Sequence, residues 1–386
     1  MRKIFEKLLA IVIAVCMLAA MLSLPAVSFA DTWDGTAISE GLSGSGTEED
    51  PFIIATAADL AYFADQANTD TSYFPGQFIS LTADINLNNC DFPAVKKFSG
   101  TLNGNGHEIS GININKSANN VGFFRMLTGG SAIENLTLSG SVVSTGNNIG
   151  GFAGYLDNGH VTITNCVNNL NVTGSTYVGG FVGNAYLASS LTITGCENNG
   201  SISSSAAAGA VYIGGFVGSA TYLVPAVTFS YCINNGDVST VGTSAAGFMG
   251  DLRTQGIFDY CENTGAISGE AILAGFVSRN ENAASDRPIT ISNSINVGTI
   301  TGTRASGNAF EAAILGYYGG AQGTPVIENV YYRESDIILG GATNDHQNYA
   351  EPLGEAKTDA EFADGTVLAL LNSQKTAYKQ AENYPV

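Results

Sequence analysis

Three kinds of chemistry-bearing residue recur along this sequence. Glycine pairs stand before phenylalanine in IGGFAGYL at 149–156, VGGFVGNA at 178–185 and IGGFVGSA at 213–220, with AAGFMGDL and AGFVSRN further on. A phosphate-cradling loop uses its glycines once, between a strand and a helix, and ends in Lys followed by Ser or Thr. Here the glycines repeat, that Lys is missing, and no helical pattern stands behind them. Cys166, Cys196, Cys232 and Cys261 also recur. The C-x-x-C spacing of a metal site is absent. Together with Cys90 they make five cysteines downstream of the leader described below, an odd number. Their position accepts Leu136, Ser294 and Val330 in other units, which marks an inward site for a small apolar group and predicts free, buried thiols. Carboxylates are the third kind. A glycosidase needs two of them converging on one patch, but Asp157, Asp237, Asp251, Asp259 and Asp286 occupy different positions in their units. Only Asp251 and Asp259 are close in sequence. A polysaccharide lyase needs an Arg or Lys base beside a carboxylate neutraliser. Lys116, Arg125, Arg253, Arg279, Arg287 and Arg304 are scattered and share no column.

The elements that hold these residues are copies of one unit. Phe124, Phe152, Phe181, Phe216, Phe248 and Phe276 head the first element of each unit, 28 to 35 residues apart. Second elements such as TITNCVNNL and TITGCENNG place Asn168, Asn198, Asn234, Asn263 and Asn296 two residues after the Cys column, and Gly200, Gly236, Gly265 and Gly298 two residues after that. Third elements are short alternating runs such as GSISS and GTITG. Self-similarity at this period means stacked units, each too small to bury its own apolar face. Three short strands per unit describe one coil of a parallel β-helix. The Phe residues then stack inward, the glycines make tight or crowded corners, and the Asn residues serve sharp turns and an axial amide ladder.

The ends differ from the repeat. Residues 1–30 combine a basic start, an apolar run and small residues at Ser28 and Ala30, the order of a secretory signal peptide cleaved after Ala30. Residues 50–70 carry a helical pattern, with Thr56 and Asp59 as a capping pair and Leu60, Phe63 and Ala64 on one face. Such a helix suits an N-terminal cap over the exposed edge of a solenoid. The formal net charge is −19, and only 13% of residues are charged. A field of that sign repels phosphate backbones, so nucleic acid is not an expected partner. No second apolar stretch reaches membrane length.

The stretches GTEEDPFIIATAADLAYFA, ISLTADINL, FSGTLNGNGHEISG and the recurring GGFVG closely resemble the GLUG-motif proteins of bacterial surfaces, which are similar to pectin-lyase-type right-handed β-helices. TDAEFADGTVLALLN and YKQAENYPV resemble the segment that follows the last coil in that family. The resemblance covers nearly all of 31–386. It implies an exported, cell-wall-associated or extracellular protein and no reaction. The H-E-x-x-H of the zinc protease domain that accompanies such repeats in IgA-peptidase relatives is absent. The three histidines are His107, His160 and His346.

The expected organisation is a leader at 1–30, an N-terminal cap with first coils at 31–110, GLUG-type coils at 111–335 and a C-terminal cap or tail at 336–386. The expected role is non-catalytic: a surface scaffold for adhesion or for binding a cell-surface glycan or a host or neighbour protein. No catalytic, cofactor-binding or metal residue is assigned, and the ligand-binding residues are left open. The loops at 155–160, 184–190, 204–211 and 280–288, with Tyr186, Tyr212 and Tyr222, are the expected display surface. The alternatives are a lyase or hydrolase built on the β-helix, and an ice-binding solenoid using the Thr-x-Thr rows at 162–164, 192–194 and 299–301.

Overall fold

The computed structural model describes residues 31–373 apart from 70–73, 187–189, 207–208, 222–225, 271, 281–287, 303–309, 319–323, 334–336 and 339–352. The leader, Tyr222, Asp286, Arg287, Arg304, His346, YKQAENYPV and most of the 280–288 loop therefore lie outside the described residues. The chain from Asp31 onward winds as a right-handed parallel β-helix. One coil shows the plan. Tyr177–Gly179 runs in a six-stranded sheet (sheet I) and Val182–Tyr186 in a seven-stranded sheet (sheet II). Ser190–Thr194, Glu197–Asn198 and Ile202–Ser204 then run in the long sheet III. Each strand pairs in parallel with its equivalent one coil away: Val182 with Val217, Thr192 with Thr228, Asn198 with Asn234, Ile202 with Val238. The three elements read from the sequence are thus present, and corners divide the first two into paired short strands.

The corners have two different causes. Between the two strands of the second element, the residue before the Cys column sits in the left-handed region: Asn165 at φ 51°, Gly195 at 63°, Tyr231 at 56°, Tyr260 at 53° and Asn293 at 49°. Asn and Gly reach this region cheaply, while Tyr is strained there. This duty falls on a column three residues before Asn168 and its equivalents, not on the Asn column itself. Between sheets I and II the glycine pair is not left-handed. A Cβ on Gly180 would lie 2.2 Å from the Gly215 carbonyl oxygen and 2.5 Å from Asn198 Oδ1. Crowding, not φ, requires glycine there.

Stacked phenylalanines fill the interior. Phe152, Phe181, Phe216, Phe248 and Phe276 follow one another at 4.8, 4.9, 5.0 and 5.2 Å between ring centroids, within 11° of parallel. Burying each contributes about 1.5–3 kcal/mol. The column continues into Phe123, not Phe124. Phe124 pairs with Ala153, so the adjacent Phe123 takes the place of Phe152, and it stacks on Phe92 at 5.5 Å. The doubled Phe of VGFF hides this shift in the sequence.

Helix α1 (Ala57–Thr69) closes the first coils. Its buried face carries Leu60, Phe63 and Ala64, and Phe63 packs on Phe74 and Phe98 at 4.8 and 5.7 Å. Thr56 and Asp59 cap it reciprocally: the Asp59 N–H donates to Thr56 Oγ1 at 3.1 Å and the Thr56 N–H to Asp59 Oδ2 at 2.9 Å. Burial alone would raise the Asp59 carboxyl, but hydrogen bonds from Ser39, Thr56 and Ala55 outweigh it and hold the group below its ordinary value. At the other end, short helices α2 (Asp359–Ala363) and α3 (Thr366–Leu371) bring Phe362, Val367 and Leu371 onto Tyr260, Ile295, Val297 and Tyr331.

Candidate functional site

The repeated polar residues are spent inside the coils. Asn168, Asn198, Asn234, Asn263 and Asn296 are fully buried, and each of the first four donates from Nδ2 to the Oδ1 of the next at 2.7 Å. Each of those Nδ2 groups also reaches the carbonyl two residues on, as Asn234 does to Gly236 at 2.9 Å. The glycine immediately before Phe in each corner lies against this ladder from across the coil. A Cβ at Gly215 would meet Asn234 Oδ1 at 2.2 Å, and one at Gly247 would meet Asn263 Oδ1 at 2.3 Å. The two recurring motifs are therefore one packing unit. No pattern in the sequence announces this pairing, because its members are well separated along the chain and meet only through winding.

The cysteine column is a corner device. All five described cysteines are free; four are buried and Cys90 is half-buried. The Cys196 thiol donates to the carbonyls of Thr194 at 3.4 Å and Ile163 at 3.5 Å, and its sulfur accepts the Cys166 N–H at 3.3 Å. Ser294 does the same work with Ser292 O and the Cys261 N–H. Burial first, then the neighbouring cysteines, pushes the Cys196 and Cys261 thiols well above their ordinary value.

The carboxylates have separate partners. Asp157 accepts from Asn158 Nδ2 at 3.0 Å, and Asp237 accepts the Ala266 N–H at 3.0 Å. Asp259 accepts from Ser292 Oγ at 2.7 Å and Asn293 Nδ2 at 2.9 Å, in sheet III. Asp251 is fully buried in sheet II, where Arg253 Nε donates to it at 2.9 Å. Asp251 and Asp259 thus stand on different sheets. The Thr rows are in register over Thr162, Thr192 and Thr228, and Ile257 then breaks them; Thr299 and Thr301 belong to the third element. His107 pairs with Asp84 at 3.0 Å, and His160 bonds Ser190.

Two outer features bring chemistry together. In the crook between sheets I and II, Tyr212 stacks on Tyr177 at 5.8 Å, and the Arg279 guanidinium lies 5.7 Å from the ring centres of Tyr212 and Tyr317. These neighbours leave Tyr212 only 3% exposed, so it is covered and not part of the expected display surface. Arg279 also donates from Nη1 to the Tyr212 hydroxyl at 3.3 Å. Tyr186 lies 6.3 Å from Tyr155. Nearer the N-terminus, the 93–96 turn, the Lys116 strand and the Arg125 strand enclose a hollow of about 440 Å³. Lys96, Lys116 and Arg125 border it. Along the sequence Lys116 and Arg125 are scattered; they share no column, but winding brings them to one depression, with Lys96 as a third cation that sequence reasoning missed.

One buried acid also escaped notice. Glu262 is 2% exposed and its Oε1 has no hydrogen-bond partner. Burial alone pushes its carboxyl up to about 8. It pairs through the backbone with Ile295, which α2 and α3 cover.

No family model matches the chain. Over 176 residues, 41% of the chain, it is 35% identical to halomucin of Haloquadratum walsbyi. Over 123 residues, 28% of the chain, it is 30% identical to a candidate Gly-rich membrane protein of Evansella cellulosilytica. The chain spans 2% and 14% of the lengths of these two relatives. A crystal structure of a candidate immunoglobulin A1 protease from Bacteroides ovatus superposes with a TM-score of 0.55 at 22% identity, covering 89% of this chain and 94% of that one. The likeness extends to the fold. No helix among the described residues is long and apolar enough to cross a membrane.

Proposed function

We propose that this chain is an exported, non-catalytic β-helix scaffold of a bacterial surface, of the GLUG-motif type, which binds a surface glycan or a neighbouring protein through its loops and outer rows. The observation that carries this reading is the ladder. The residues that repeat are consumed by the interior, where Asn, Gly, Phe and Cys hold one coil to the next. Outward-facing residues are under no such constraint and differ from coil to coil, as the half-buried register Glu134–Thr164–Thr194–Ser230–Asp259–Ser292 does in sheet III. A rigid rod with a variable exterior suits display. Halomucin and the Gly-rich membrane protein, by their names, support a surface setting for the matched segments.

The leader at 1–30 supplies the route out. N-terminal sequencing of the secreted protein is expected to begin at Asp31. A glycan array and a cell-wall pull-down with the secreted chain are expected to give binding without turnover. Robust cleavage of an acidic polysaccharide, lost on replacing one Asp, would replace this reading with the lyase or hydrolase alternative.

A further inference from the structure

Cations are scarce in a chain with a formal charge of −19, so three at one hollow stand out. The hollow is built, not incidental. Asn68, near the end of α1, accepts the Lys96 N–H at 2.6 Å and donates to the Pro93 carbonyl at 2.9 Å, which fixes one wall. The Arg125 N–H donates to the Val95 carbonyl at 2.7 Å and Val95 bridges Phe124, so Lys96, at the end of the turn, comes beside Arg125. Lys116 is engaged with Asp91, at 2.6 and 2.7 Å. Arg125 spends its Nε on the Asn120 carbonyl at 3.3 Å, which leaves four of its five donors uncommitted among the described residues. Among the same residues, neither Lys96 nor Arg125 has a carboxylate partner. The floor is apolar, with Pro93, Ala94, Ile114 and Val121. Its volume falls within the range of small-molecule sites, about 300–1,000 Å³.

We propose that this hollow binds a sugar acid, a hexuronate unit of an acidic polysaccharide, with the carboxylate between Lys96 and Arg125 and the C–H face of the ring on the Pro93–Val121 floor. A carboxylate matches the planar guanidinium fork. A pyranose ring offers the apolar face that an inorganic anion lacks. The negative field of the whole protein disfavours a polyanion at long range, so recognition is local and resides in these few side chains. The proposal deepens the binding-scaffold reading and rests on it.

The test is calorimetric titration of the secreted chain with trigalacturonate and with neutral galactotriose at low and high salt. Trigalacturonate is expected to bind and galactotriose to bind at least about tenfold more weakly. Arg125→Ala and Lys96→Ala should each weaken trigalacturonate binding about tenfold, the loss of one charge-assisted hydrogen bond. Lys97→Ala, beside the hollow but not lining it, should leave binding unchanged, and all three variants should melt with the wild type. Absence of trigalacturonate binding, or equal weakening by Lys97→Ala and Arg125→Ala, overturns the site. An array that finds another glycan or protein ligand unaffected by Arg125→Ala overturns the hollow and leaves the scaffold reading standing. Turnover of trigalacturonate with Arg125-dependent binding does the reverse.

Discussion

Glu262 and Asn263 are neighbours in one strand, and they belong to two regions that treat buried polar groups in opposite ways. Asn263 points into the coil, where its amide donates to Asn296 and Gly265 and accepts from Asn234. Glu262 lies on the other side, next to the residues that α2 and α3 cover, and its Oε1 has no partner. The difference lies in repetition. Every coil from Asn168 to Asn296 supplies an Asn, so each satisfies the next. At the Glu262 position the neighbouring coils supply Ile233 and Ile295, which offer nothing to a carboxyl. A solenoid stabilises a buried polar group by giving it copies of itself, and a singular one is left to neutralise.

Breaking the ladder at its centre should have the largest effect. Asn234→Ala removes the acceptor of Asn198 and the donor to Asn263, leaving two buried amide groups short of a partner. At about 1–3 kcal/mol for each orphaned group, the expected loss is roughly 3–5 kcal/mol by urea unfolding. Asn296→Ala, at the end of the row, should cost about half as much, since it strands Asn263 alone. Equal losses at both positions would mean that the amides act singly and that the ladder adds nothing. Gly215→Ala attacks the same unit from across the coil, where its Cβ would lie 2.2 Å from Asn234 Oδ1 and from the Gly247 carbonyl. It should cost several kcal/mol, in the upper tail of single substitutions.

The opposite region should show its character through pH. Glu262 has a folded value of about 8 against an ordinary 4.5. The folded chain therefore keeps a proton that the unfolded chain releases above about 4.5. Stability from this group is fully present below that value, falls as pH rises toward 8, and is flat above. Glu262→Gln should remove the slope, so that the variant matches the wild type near pH 5 and exceeds it by up to about 4 kcal/mol near pH 9. Urea midpoints of both proteins at about pH 5, 7 and 9 measure this. Asp59 runs the other way: its lowered value makes a contribution that is lost only as pH falls below the ordinary carboxylate range. A wild-type curve without any decline between about pH 5 and 8, parallel to that of the variant, would mean that water reaches Glu262.

What the sequence disclosed follows the same division. Columns that repeat one residue type were readable: the Phe stack, the Asn row, the Cys column and the α1 cap, with two slips, one where Phe123 and Phe124 stand side by side and one in giving the sharp turn to the Asn row, when it falls three residues earlier. Features that repeat a conformation but not a residue type were not. The left-handed corner holds Asn165, Gly195, Tyr231 and Asn293, and nothing in Tyr announces a positive φ. Features made by winding were also invisible. Gly215 meets Asn234 across a coil, Lys96 meets Lys116 and Arg125 around the hollow, and Glu262 is buried because later coils and helices come to lie beside it.

The cysteine column offers the finest test of the contrast, because its repetition is imperfect and its polar demand is slight. Cys196 both donates to Thr194 O and accepts from the Cys166 N–H, and Ser294 makes the equivalent pair of bonds two coils beyond Cys232. Cys196→Ser should therefore keep both bonds and change stability by less than about 1 kcal/mol, since the shorter hydroxyl trades packing for stronger hydrogen bonds. Cys196→Val keeps the volume and loses both, stranding the buried Cys166 N–H, and should cost about 1–2 kcal/mol. The order of the two variants decides the matter. If Val is tolerated better than Ser, the column is held by packing alone, as Leu136 and Val330 at its two ends already are. If Ser is tolerated better, the thiols are hydrogen-bonding corner residues. In that case the ladder principle reaches even this apolar column: each coil's sulfur satisfies the backbone of the coil before it.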